Sequence, residues 1–147
     1  MRAFHAALVA LLLLPSPSNS EIRLEHAWAQ ASPPKAVVGR AFVTIFNKSD
    51  ETEHLIGVST EAASSAEISG IRILQNVPNM RKLFNIDIPP HSSIVFAPGS
   101  YHIILRNLRK PLVAGDRIDG ELMFKNAGAI PVEFRVEAAG QTELPTR

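Results

Sequence analysis

The sequence predicts an all-β protein built as an antiparallel sandwich. After residue 20, short apolar runs, many of them rich in β-branched and aromatic residues, are separated by turn residues. None of these runs has the long apolar period of an amphipathic helix. Near the C-terminus, apolar and polar residues alternate along two runs. These three observations favour short antiparallel strands packed around one core.

The first twenty residues have the organisation of a signal peptide. Arg2 supplies a positive charge, Ala3–Leu14 is apolar but too short to span a bilayer, and small residues before Glu21 suit cleavage there. An uncleaved anchor is the alternative, which Pro15 disfavours because it ends the apolar run. We therefore expect an exported, periplasmic protein with one domain, residues 21–147, and no membrane span after cleavage.

Charge and cysteine content narrow the classes of function. Residues 1–20 contain one basic residue and no acidic one, so the rest of the chain has equal numbers of each. It therefore lacks the basic footprint of a nucleic-acid binder. The sequence contains no cysteine, which excludes a disulfide and a thiolate ligand. It also shows no G-x-S-x-G, H-E-x-x-H or P-loop motif, and we expect a protein that is not an enzyme.

The first half of the domain predicts several strands. Residues 22–28 mix apolar and polar side chains and lead into two prolines, which predicts an edge strand followed by a loop. Residues 36–46 are too apolar for a half-exposed strand, which predicts a strand inside the sandwich. A polar turn, a short strand and a connection are expected at 47–53, 54–59 and 60–65. Residues 66–77 again have strand spacing.

The second half continues the pattern. A turn predicted at residues 76–79 places Met80 at the start of a return strand that runs to Ile88. Further strands are expected at 92–96, 101–105, 121–125 and 130–137, with a tight turn at 97–100 and a loop at 109–116. Pro131 cannot donate to a ladder, so it predicts an edge or a bulge. Residues 140–147 should form a frayed polar tail.

Met80 and His102 are the residues with potential metal chemistry. The alternation of strands and turns allows the strands that carry them to lie side by side, although 21 residues separate them in sequence. A thioether and an imidazole together suit a soft ion such as Cu(I). The ordinary alternatives are a methionine that fills a gap in the core and a partly buried, hydrogen-bonded imidazole.

Three sequence features resemble the periplasmic copper chaperones of the PCu(A)C type. They are Ala27-Trp28-Ala29, Ala41-Phe42-Val43-Thr44-Ile45 before the turn at Asn47, and Pro98-Gly99-Ser100-Tyr101-His102. The resemblance runs from about residue 24 to residue 136. It implies a cupredoxin-like sandwich that binds Cu(I) through four side chains. It also implies a copper-accepting partner such as a cytochrome oxidase subunit.

The metal motif of that family is a His, ten residues, a Met, twenty-one residues and His-x-Met. Met80 and His102 have the required separation, while Ser69 and Ile104 occupy the other two ligand positions and are not expected to bind. Serine is a hard, neutral ligand for Cu(I), and isoleucine offers no donor. The resemblance therefore implies weak Cu(I) binding by Met80 and His102. A metal-free family member that acts as a protein-interaction module is the alternative.

Other side chains open a third possibility, in which recruited donors complete the site or bind Cu(II). His91 lies between Met80 and His102 in sequence and is the best placed recruit, while His26 and His54 are further candidates. Met123 shares its strand face with polar residues, which predicts a surface position rather than a ligand.

Overall fold

The computed structural model describes residues 21–138, and all regular secondary structure in that range is β-strand. The all-β prediction is therefore confirmed, whereas the predicted signal peptide and the predicted polar tail lie outside the described residues. No helix able to cross a membrane occurs between residues 21 and 138. The strands are β1 Ile22–Gln30, β2 Val38–Asn47, β3 Glu53–Thr60, β4 Ala63–Leu74, β5 Val77–Leu83, β6 Ile86–Ile88, β7 Ser92–Val95, β8 His102–Leu108, β9 Arg117–Phe124 and β10 Gly128–Glu137.

The strands form one continuous sheet that folds back on itself. The order of hydrogen-bonded neighbours is β5-β4-β8-β2-β1-β10-β9-β3-β6, and β7 pairs with β2. Every pairing is antiparallel except that of β1 with β10. Strands β3 and β4 stand far apart in this order but contact each other, because the two ends of the sheet close over a shared core.

Strict alternation builds the C-terminal part of that core. Alternate residues of β9 and β10 are buried, and they are Ile118, Leu122, Phe124, Val132, Phe134 and Val136. Strand β10 pairs with β1 only from Arg135 to Glu137, so Pro131 has a paired neighbour on the β9 side alone. The prediction of a local edge at Pro131 is confirmed, and its missing N–H costs the ladder nothing there.

The prediction that the first strand lies at an edge is wrong. Strand β1 lies between β2 and β10, and Trp28 and Ala29 are buried. The register with β2 shifts between Glu25 and Trp28, where His26 has a φ of 50°. This bulge adds a residue to the strand and interrupts the alternation, which explains why the sequence lacked the apolar pattern of an internal strand.

The turn predicted at residues 76–79 is also displaced. Strand β4 continues to Leu74, and the turn consists of Gln75 and Asn76, whose φ values are 50° and 65°. Met80 therefore lies in the middle of β5 rather than at a strand start. Val77 pairs with Leu74 across the turn, so the next residue, Pro78, directs its nitrogen away from β4. Because no described strand pairs with that side of β5, Pro78 fits without a lost hydrogen bond.

A buried carboxylate connects the turn between β9 and β10 to strand β3. Glu53 accepts hydrogen bonds from the backbone N–H groups of His54, Asn126 and Ala127 at 2.8, 3.0 and 2.9 Å. Burial acts to raise the pKa of Glu53, but these backbone bonds and one from the Asn126 amide outweigh it and hold the pKa below the usual 4.5. The carboxylate thus serves as the acceptor that this turn needs.

We predict that Glu53→Gln destabilises the protein by about 1–3 kcal/mol, because an amide N–H₂ would then face backbone donors. The lowered pKa means that the contribution of Glu53 is complete above about pH 4.5 and is lost as the pH falls through the folded-state value. Urea unfolding at neutral and acid pH measures both effects. The surface variant Glu133→Gln is the control and should change stability by less than about 0.5 kcal/mol. An equal acid-dependent loss in wild type and Glu53→Gln would contradict the assignment.

Candidate metal centre

Three neighbouring strands bring the predicted ligands to one face of the sheet. Ser69 of β4 lies opposite His102 of β8 on one side and opposite Lys82 of β5 on the other. Met80 lies opposite Ile71, two residues further along β4. Because directly opposed and alternate residues share a face, all five side chains project from the same side. The structure therefore places Met80 and His102 on one face, with β4 between them.

The two predicted ligands differ in position and in exposure. Two strand spacings and a two-residue offset put the Cα atoms of Met80 and His102 roughly 12 Å apart. Met80 is 51% exposed on the outermost strand, whereas His102 is 5% exposed. The predicted nitrogen donor, His102, is thus buried, and the predicted sulfur donor, Met80, is accessible.

His102 ends a row of three aromatic rings that crosses β1, β2 and β8. The ring centroids of Trp28 and Phe42 are 4.5 Å apart, and those of Phe42 and His102 are 5.5 Å apart. Within residues 21–138, the buried Nδ1 of His102 has no hydrogen-bond partner. Burial, with a smaller effect from the charge of Arg40, lowers the pKa of His102 below 6.5. The ring is therefore neutral at pH 7, which is the form that binds a metal.

The other two family ligand positions provide no soft donor. The Ser69 hydroxyl donates to the backbone carbonyl of Arg81 at 3.2 Å and is buried. Ile104 is partly buried between Glu67 of β4 and Arg40 of β2, its two cross-strand partners. Among the described residues that occupy the family motif, Met80 and His102 are therefore the ones with chemistry suited to Cu(I).

An ion cluster lies next to these positions on the same face. Arg106 of β8 donates to Glu67 of β4 through Nη2 at 2.6 Å and through Nε at 2.9 Å. Lys82 Nζ of β5 lies 3.6 Å from the other Glu67 oxygen. The hydrogen bond from Arg106 lowers the pKa of Glu67, and burial opposes it. The cluster links β5, β4 and β8, and sequence analysis missed it because cross-strand register cannot be read before the turn is placed.

This cluster sets the sign of the charge around the candidate site. Lys82, Arg106 and Arg40 lie on strand positions around Ser69 and Ile104, and Glu67 offsets only one of these three positive charges. Cationic groups at short range disfavour a further cation. The surroundings therefore predict weak binding of a metal ion.

His91, the recruit that the sequence favoured, lies away from this face. It immediately precedes β7, which pairs with β2 at the Asn47 end, whereas Phe42 marks the part of β2 beside His102. Five residues of extended chain separate these points, which is roughly 17 Å. His91 Nε2 is instead 2.7 Å from the Asp50 carboxylate. The register of β7 on β2 therefore gives no support to His91 as a metal ligand.

The remaining candidates also stand apart from the predicted pair. His26 occupies the bulge of β1, four strands away from β5 in the sheet. His54 Nδ1 lies 2.6 Å from the Asp87 carboxylate. Met123 is 39% exposed on β9, in the surface position that its alternation predicts. Across the described range, no cluster of three or more His, Cys, Asp or Glu is arranged to hold a metal ion.

Comparison by sequence identifies a family and a related protein. A family model described as "Putative lipoprotein LpqE-like" matches residues 22–136. "Putative lipoprotein Lxx21020" of Leifsonia xyli subsp. xyli is 27% identical over 124 residues, which are 84% of this chain and 74% of that protein.

Solved structures with a similar fold include a PCuAC domain and a second protein. A copper-bound PCuAC domain from PmoF2 has a TM-score of 0.68 at 25% identity and covers 80% of this chain and 93% of its own. Apo-DR1885 from Deinococcus radiodurans has a TM-score of 0.65 at 22% identity and covers 97% of both chains. The predicted resemblance and the predicted cupredoxin-like sandwich are therefore confirmed.

The environment of His102 predicts a pH dependence of stability. Because its folded-state pKa is lowered, the unfolded chain binds a proton first, and stability falls as the pH drops below about 6.5. We expect this loss to be smaller in His102→Phe, which keeps the ring bulk without a titrating nitrogen. Chemical denaturation from pH 8 to pH 5 measures the difference, and all other histidines are the same in both proteins. Identical pH profiles would show that His102 is not buried in its neutral form.

Proposed function

Because the chain belongs to the LpqE-like family and has the fold of PCuAC domains, we propose that it is an exported copper chaperone-like protein. It binds Cu(I) weakly through Met80 and His102 and passes the ion to a partner. The proposal is supported by the register of β5, β4 and β8, in which Met80 and His102 share one face, and by the Nδ1 of His102, which has no hydrogen-bond partner among the described residues. The similar PCuAC domain from PmoF2 is copper-bound, which supports the choice of ion.

The two donors have different roles in this proposal. His102 is held by aromatic packing and supplies a neutral nitrogen without prior loss of a proton. Met80 has an unbranched side chain with several rotatable bonds and is exposed, so its sulfur can swing over Ser69 toward the ring. Two donors among several cations bind weakly, and an exposed sulfur gives an acceptor protein access to the ion. A cytochrome oxidase subunit in the periplasm is the acceptor that the PCu(A)C resemblance implies.

A second function is favoured by the ion cluster. Glu67 already connects Arg106 of β8 and Lys82 of β5 through β4, so these three strands are crosslinked without a metal. A family member that lost two ligands and kept the strands in place would serve as a metal-free protein-interaction module. Copper titration distinguishes the two functions.

We expect the protein to bind one equivalent of Cu(I) in competition with a chromogenic chelator under anaerobic conditions. Met80→Leu and His102→Phe each preserve bulk and remove a donor, so each should abolish stoichiometric binding. Met123→Leu is the matched control and should leave binding unchanged, because Met123 is an exposed methionine on another strand. Binding that is absent, or that resists both donor substitutions, would leave the metal-free module as the function. Loss of Cu(I) binding in His91→Ala, without loss in the Met80 and His102 variants, would identify His91 as a recruited ligand.

A second prediction concerns variants that restore the two missing donors. Ser69 lies opposite His102, and Ile104 lies two residues along the same strand face. Ser69→His and Ile104→Met should each raise Cu(I) affinity at least about tenfold, which corresponds to about 1.4 kcal/mol per donor. Ser69→Asn and Ile104→Leu are the controls, since they change the same positions without a soft donor. No gain in the double variant, with its fold verified by circular dichroism, would show that this face does not hold copper.

A further inference from the structure

A cleft lies beside the projecting part of the β4–β5 hairpin, on the face opposite to Met80. Its volume is about 590 Å³, and it is lined by Arg72, Leu74, Arg81, Lys82, Leu83, Phe84 and Asn85. Because side chains alternate along β5, Met80 and Arg81 point to opposite sides of the sheet. Arg72 and Arg81 therefore lie on the face opposite to the candidate copper site. Lys82 belongs both to this cleft and to the ion cluster beside that site, and its Nζ lies 5.2 Å from the centroid of the Phe84 ring.

The hairpin forms this cleft because it is longer than the core that it covers. On the core-side face of β4, Ile68 and Gly70 are buried, and the next two residues of that face, Arg72 and Leu74, are exposed. Gly70 allows close packing there, since an added Cβ would lie 2.8 Å from the Leu83 side chain. The core thus ends at Gly70, and the hairpin continues outward as an uncovered surface.

Two arginines without partners give the cleft its charge. Arg81 lies opposite Gly70, so Arg72 is its diagonal neighbour on the same face. Such neighbours are about 7–8 Å apart, close enough for two like charges to repel. Neither Arg72 nor Arg81 forms an ion pair with any residue of the range 21–138. The same is true of Arg40, Arg109 and Arg135 in that range, but Arg72 and Arg81 lie together on one face of the hairpin. The lining of the cleft contains no acidic side chain among the described residues.

Exposed apolar groups frame these charges. Leu74 is 45% exposed and Phe84 is 74% exposed. An isolated phosphate ion would pair with the arginines and leave these side chains in water, whereas a peptide with alternating acidic and apolar side chains would satisfy both. The chain from residue 21 onward carries no excess of basic residues, so a broad anionic surface such as a nucleic acid is less well matched than a short acidic segment.

We propose that this cleft binds a linear segment of a partner protein in which acidic side chains alternate with apolar side chains such as leucine. Its carboxylates would pair with Arg72 and Arg81, and its apolar side chains would pack against Leu74 and Phe84. Docking does not require copper. It leaves Met80 uncovered, since the bound segment lies on the other face of β5. Exposed ion pairs are individually weak and are screened by salt, so the interaction is expected to be reversible and salt-sensitive.

The test uses fluorescence anisotropy with a short labelled peptide in which Asp alternates with Leu. We expect saturable binding that weakens in high salt and that falls at least tenfold in the double variant Arg72→Glu, Arg81→Glu. The matched control is Lys35→Glu, Lys125→Glu, which makes the same change in net charge at exposed residues outside the cleft and should retain wild-type binding. Circular dichroism verifies the fold of both variants.

Three other results would overturn the proposal. Equal weakening in both double variants would show a response to net charge alone. Equal binding of an Asn-Leu peptide would show that the arginines are not used. Binding to phosphatidylglycerol vesicles through Arg72 and Arg81, without binding of the acidic peptide, would assign the cleft to a lipid surface instead. Each of these results is independent of the copper titration, because the charge variants leave Met80 and His102 in place.

Discussion

The register of β4 against its two neighbours is the constraint on which the candidate site depends. Ser69 faces His102 across one ladder and Lys82 across the other, so a slip of one residue would send these side chains to the core. Two features oppose such a slip. The turn at Gln75 and Asn76 fixes β4 against β5, and the buried Ile68–Ile103 pair fixes β4 against β8. The same register also brings Glu67 between Lys82 and Arg106, so the metal face and the ion cluster are set together.

The sequence was sufficient for the fold class because alternation in β9 and β10 and the apolar run of β2 are local signals. The position of β1 was not local, since it depends on a parallel pairing with β10 and on a bulge at His26. The turn before β5 was misplaced because Pro78 looks like a turn residue, whereas its nitrogen faces the open side of the strand. The separation of Met80 and His102 could be counted in the sequence, but their unequal burial could not, since it arises from rings on β1 and β2.

The candidate face is ordered although Ser69 and Ile104 offer no soft donor at two of the four motif positions. A family site with four donors would hold β4, β5 and β8 through the metal, and here Glu67 performs a comparable crosslink through two cations. A buried or partly buried carboxylate that accepts from arginine is costly to separate from its partner, so the arrangement favours a fixed geometry. Retained copper chemistry would then operate on a scaffold whose strand positions do not depend on the ion. Under the proposed function, such a scaffold would be equally folded with and without the ion.

The position of Pro78 has a consequence for behaviour at high concentration. Strand β5 carries exposed apolar side chains and has no described neighbour on its outer side, which are conditions under which a strand can pair with further chains and form fibres. Pro78 removes one donor from that outer row, because its nitrogen faces away from β4. A chain added along that side would therefore lack a hydrogen bond at Pro78. The hairpin can therefore keep exposed apolar side chains and an open edge without pairing with further copies of the chain.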